Sequence, residues 1–146
     1  MKAGIVIGAV VVAFSVSATV FAADDVIAER KALMRANGAA ARTASEFING
    51  SKPFDAAAAA EAMRTIAKDL EEFPTLFPEG SDQGETSASP AIWEKMDAFK
   101  AASAKMVTDA NAAADAAAQG LDAFKTAFNT VGGNCQSCHQ DFRLRR

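Results

Sequence analysis

Four stretches of this chain carry core-type residues spaced alternately three and four apart, the spacing that gathers side chains on one stripe of an α-helix. The first, from about Asp25 to Asn49, has Ile27, Arg30, Met34, Asn37, Ala41, Ala44 and Ile48 on its stripe, widened by Val26, Leu33, Ala40 and Phe47. Gly50 and the turn Ser51-Lys52-Pro53 end it. Asp55 is placed to cap the second stretch, whose inner face is Ala59, Met63, Ile66, Ala67, Leu70 and Phe73, with Pro74 as its stop. The third opens at Ser89-Pro90, where the missing proline N–H costs nothing, and runs through Ile92, Met96, Phe99, Ser103, Met106, Ala110, Ala113 and Ala117. After Gln119-Gly120 the fourth follows, with Leu121, Phe124, Phe128, Val131, Cys135, Cys138 and Phe142 in phase. Abundant alanine, few β-branched residues and no tyrosine favour helix throughout. Four such helices with mostly short connections predict an all-α, antiparallel four-helix bundle. Residues 74–89, with Pro74, Pro78, Gly80 and Gly84, read as the one long loop. Loops of that length inside a compact domain are usually functional or mobile.

The N-terminus reads differently. Lys2 precedes an apolar run from Ala3 to Val20 that closes on Val20-Phe21-Ala22, with Asp24-Asp25 just beyond. This is the pattern of a secretory signal peptide over residues 1–22, cleaved after Ala22 or Ala23. An uncleaved anchor is the alternative, because the run is about long enough to span a bilayer. Residues 23–146 then form a single domain, which without Lys2 is more acidic still than the full chain's 15 basic against 18 acidic side chains. That balance argues against a nucleic-acid surface. No later stretch is apolar enough for stable membrane insertion, and the expected location is the periplasm.

The fourth stripe carries Cys135-Gln136-Ser137-Cys138-His139, which uses both cysteines and the single histidine of the chain. Two thiols at this spacing can add to the two vinyl groups of one haem, and the adjacent imidazole can bind its iron. On a helix, positions i, i+3 and i+4 share a face, so all three residues address one side of the fourth helix. In an oxidising compartment a simple disulfide is the competing use of the two thiols. A thioredoxin-like redox pair needs a βαβ context, and the sequence shows no strand pattern to supply one. No nucleophile–base pair or second metal-ligand cluster points to an enzyme.

A C-terminal C-x-x-C-H in the last helix of an exported, alanine-rich four-helix chain resembles the class II c-type cytochromes, the cytochrome c′ family. The run Arg30-Lys31-Ala32-Leu33-Met34 is similar to that family's first-helix segment, and Gly84-Glu85-Thr86 resembles a haem-contacting loop before its third helix. The resemblance spans the chain beyond the leader. It implies one haem c held by thioethers at Cys135 and Cys138, with His139 as the proximal iron ligand. It also implies Arg30 pairing with a propionate, Glu85 and Thr86 near the haem, and Met34 over the distal face of the iron. Arg143, Arg145 and Arg146 meet propionates, an acidic partner, or only the dipole of the last helix.

The family has two branches. In one, a first-helix methionine completes a six-coordinate, low-spin site suited to electron transfer, and His/Met ligation raises the potential. In the other, the iron is five-coordinate and its open face binds nitric oxide or carbon monoxide. The low-spin branch is the expectation here, with Met34 as sixth ligand, while Met63, Met96 and Met106 read as core filler. The partners implied are periplasmic redox proteins and the haem-attachment machinery, and the resemblance leaves a homodimer open.

Overall fold

The computed structural model describes the backbone of residues 17–145 and side chains from residue 25. Among the described residues there are five α-helices: α1 (Ser17–Ile48), α2 (Ala56–Glu72), α3 (Ala91–Glu94), α4 (Met96–Ala117) and α5 (Leu121–Phe142). The four long ones form the expected bundle. Most of the expected leader lies outside the described residues, and α1 begins at Ser17, ahead of the Asp25 at which its apolar stripe starts. No helix among the described residues is long and apolar enough to cross a membrane.

Local chemistry accounts for the boundaries. Asp55 caps α2, its carboxylate accepting from the N–H groups of Ala57 at 2.9 Å and Ala58 at 3.0 Å. Pro74 does not open an irregular loop. It sits early in a 3₁₀ turn, Phe73–Leu76, where a proline nitrogen is tolerated. Gly50 at the end of α1 and Gly120 between α4 and α5 have φ of 77° and 106°, a region that favours glycine. The single third helix expected from the spacing is divided: Lys95 leaves the helical region (φ −131°, ψ 44°) and separates α3 from α4. The stripe survives because Ile92 and Phe99 are both buried across the break.

Helices α2 and α4 pack along each other, α5 lies on α4 and α1 on α2. Helices α1 and α5 meet only sparsely, although they too are neighbours around the bundle. The buried set follows the stripes, from Ile27, Ala40, Ala44 and Phe47 on α1 to Phe124, Val131 and Phe142 on α5. Beyond α5 the chain turns back along the long loop: Ala88 and Arg143 form an isolated antiparallel bridge, Ser89 donates to the Phe142 carbonyl at 3.0 Å, and Leu144 donates to that of Ser87 at 2.9 Å.

Candidate functional site

The gap between α1 and α5 is a cavity of about 510 Å³, within the range of cofactor pockets. Its floor is apolar, with Leu70, Phe73, Phe77, Phe99 and Phe142 among the lining residues. The rings touch edge to face, with centroids 5.1 Å apart for Phe73 and Phe77, 4.9 Å for Phe77 and Phe99, and 5.2 Å for Phe99 and Phe142. Aromatic edges packed this way make a stiff wall. Ser103 lines it as well, its hydroxyl donating across the bundle to the Leu70 carbonyl at 2.6 Å.

Helix α5 contributes Cys135, Cys138 and His139 to this cavity, and α1 contributes Arg30 and Met34. The helical phase of the C-x-x-C-H run does bring its three residues to one space. Both thiols are free and half-buried. Burial is the main cause that pushes them above the ordinary thiol value, with Cys135 and Asp141 adding to the effect on Cys138. They are therefore protonated at neutral pH. Burial, followed by the charge of Arg143, pulls His139 below its ordinary value. Its imidazole is neutral at pH 7, the form that can bind a metal.

Arg30 is the buried cation of the site. Its Nε donates to the Leu76 carbonyl at 2.6 Å and its Nη1 to that of Ser81 at 2.8 Å. Nη2 donates to the Ser81 hydroxyl. The guanidinium carbon lies 3.9 Å from the centroid of Phe77 and 5.5 Å from that of Trp93. Burial lowers its pKa to about 10, against the opposing pull of Asp82, so it stays charged at neutral pH. Arg30 thus ties α1 to the long loop, a role its place on an apolar stripe hinted at without revealing the partners. Five N–H bonds less the three engaged leave two for an incoming anion.

Of the two loop residues singled out from sequence, Thr86 lines the cavity and its hydroxyl accepts from the Ala88 N–H at 3.1 Å. Glu85 is exposed and outside the lining. The loop places Ser87 and Ala88 at the cavity instead. Trp93 is not a cavity wall. It packs on Phe77 and donates from its indole nitrogen to the Pro78 carbonyl at 3.1 Å. Met106, read as core filler, is buried but also reaches the lining.

Residues 25–143 match the family pattern described as cytochrome C′. The chain belongs to the cytochrome c′ family. It is 40% identical over 127 residues to cytochrome c-556 of Agrobacterium fabrum, covering 87% of this chain and 86% of the relative. It is 39% identical over 127 residues to a cytochrome c′ of Rhodopseudomonas palustris, covering 84% of each. A solved cytochrome c′ from Rhodopseudomonas palustris superposes with a TM-score of 0.77 at 36% identity, covering 84% of this chain and 98% of that one. Cytochrome c′ proteins are among the standard antiparallel bundles, and they carry a covalently attached haem c. The residues present fit that group: an apolar, aromatic-walled cavity, two free thiols beside a neutral imidazole, a thioether on the facing helix, and a buried guanidinium with N–H bonds to spare.

Proposed function

We propose that this protein carries single electrons in the periplasm, through a haem c bonded to Cys135 and Cys138, with His139 and Met34 as axial ligands. One observation carries the reading: Met34 and His139 line the same cavity from the two helices that barely pack on each other. A flat macrocycle needs that separation. Met106 also lines the cavity, but it stands on α4, which packs directly on α5 and leaves no comparable space. Bound there, the haem supplies a one-electron iron couple, and a thioether opposite an imidazole favours its reduced state.

The chain's own residues do the rest. Cys135 and Cys138 would hold the group as thioethers, each sulfur taking one vinyl carbon and its proton the other, with no net oxidation. The aromatic floor offers the macrocycle an apolar wall. The two unused Arg30 N–H bonds serve a propionate, and Thr86 stands at the rim, whereas exposed Glu85 keeps at most an outer role. The leader over residues 1–22 delivers the chain to the periplasm, where the attachment machinery meets the thiols.

A second reading has support of its own. Relatives named cytochrome c-556 and cytochrome c′ stand at 40% and 39% identity, so relatedness does not choose between the family's two branches. An absorption spectrum decides. The expected result is a low-spin ferric spectrum, and no carbon monoxide adduct of the ferrous protein until Met34→Ala opens the iron. A high-spin wild-type spectrum with direct carbon monoxide binding overturns Met34 ligation and leaves the gas-binding reading.

A further inference from the structure

We propose that the mouth of the cavity is a docking surface for an acidic redox protein, built by Lys31, Arg35 and Arg143 over the buried Arg30. The inference rests on the electron-carrier reading and names the class of partner that reading requires. The chain as a whole is acidic, with 15 basic against 18 acidic side chains and a formal net charge of −3. The cavity inverts that balance: Arg30, Lys31, Arg35 and Arg143 line it, and among the described residues no aspartate or glutamate does. Lys31, Arg35 and Arg143 are exposed. Neither of the two ion pairs among the described residues, Lys52 with Glu46 and Lys105 with Asp109, uses any of them.

The cations stand on both walls. Lys31 and Arg35 are one turn apart on α1. Arg143 follows α5, and its bridge to Ala88 pins it. Two carboxylates act on cavity residues, Asp82 on Arg30 and Asp141 on Cys138, and neither lines the cavity. The two propionates of a haem would offset part of the positive charge and leave an excess. At moderate salt a group arriving at the mouth feels charges within about 10 Å, so the local cations outweigh the acidic remainder of the surface. A partner that offers carboxylates around its own redox group is drawn to the cavity mouth and oriented there.

The test uses the reduced haem-bearing protein in stopped flow, with anionic hexacyanoferrate(III) and cationic tris(phenanthroline)cobalt(III) as oxidants. As ionic strength rises from about 0.01 M to about 0.1 M, the Debye length shrinks from roughly 30 Å to roughly 10 Å. The expected result is that the rate with the anion falls and that with the cation does not. Lys31→Glu with Arg35→Glu slows the anion about tenfold at low salt. Lys100→Glu with Lys125→Glu changes the net charge equally, at exposed residues outside the cavity, and has a much smaller effect. A short oligo-aspartate peptide slows the hexacyanoferrate reaction competitively, and oligo-lysine does not. A rate with the anion that rises with salt, as the net charge demands, overturns the proposal, as does an equal effect of the two double variants or no competition by oligo-aspartate. The ferric spectrum of the same samples tests the axial ligands separately: a high-spin spectrum overturns Met34 ligation while the salt slope still decides the docking surface.

Discussion

The two ends of this bundle are built from the same four helices and pack to opposite purposes. At one end, the last turns of α1 and α4 meet the first turns of α2 and α5, and the facing residues are mostly alanine. Ala44, Ala59, Ala110, Ala113 and Ala117 have no accessible surface at all. Small side chains let helix axes approach, and the remaining space is taken by Phe47, Phe54, Phe124 and Phe128, in successive contact with centroids 5.9 to 6.0 Å apart. At the other end the stripes carry Phe99 and Phe142, Arg30 holds the loop in place, and α1 stays off α5. Packing density is a property of each layer. The closed end supplies stability, and the open end depends on it to keep a cavity without collapsing.

The largest effect should therefore come from the closed end. Phe124 is fully buried, and Phe124→Ala should cost about 3–5 kcal/mol, read as a lower urea midpoint of the haem-bearing protein. A loss below about 1 kcal/mol would mean that the alanine layers hold the end together unaided. A pair of smaller changes sharpens the contrast. Ala113→Leu forces a larger side chain into a fully buried alanine position and should cost about 1–3 kcal/mol. Ala102 lines the cavity and is half-buried, so Ala102→Leu grows toward the cofactor space. Its main consequence should be a changed haem absorption band, with little loss of midpoint. Equal midpoint losses would remove the distinction between the two ends.

Much of this division could be read from the chain. The stripes identified the buried faces of all four long helices because a period of three and four leaves little freedom in what points inward. The same periodicity put Cys135, Cys138 and His139 on one side of α5. It could not show which pair of helices would stand apart, because that depends on side-chain volumes summed over two ends. Nor could it find the partners of Arg30: Leu76 ends a 3₁₀ turn, Phe77 and Ser81 follow it in the loop, and a buried guanidinium on a stripe demands acceptors without naming them. The break at Lys95 carries no glycine or proline, and nothing in the structure explains it. Glu85 and Thr86 are adjacent in sequence, yet one turns to solvent and the other to the cavity. Loop residues obey their own hydrogen bonds, here that from the Ala88 N–H to the Thr86 hydroxyl.

The smallest expected effect lies at the open end, at Asp69 in the last turn of α2. One of its carboxylate oxygens is shut off from water and has no hydrogen-bond partner. Burial raises its pKa above the ordinary 3.8, with Lys68 opposing and Glu72 adding to the rise. A carboxyl with a raised folded pKa binds its proton more tightly folded than unfolded, so its favourable contribution is complete below 3.8 and is lost as pH rises through the higher folded value. At neutral pH the folded protein therefore holds a carboxylate that it disfavours. Asp69→Asn removes the charge at little change in volume, and should raise the melting temperature at pH 7 by about 1–2 °C. The gain should shrink as the pH is lowered, because the wild-type carboxyl is then neutral as well. Stabilisation of the same size at every pH would mean that the charge of Asp69 is not the cause, and that the open end gains from the amide's packing alone.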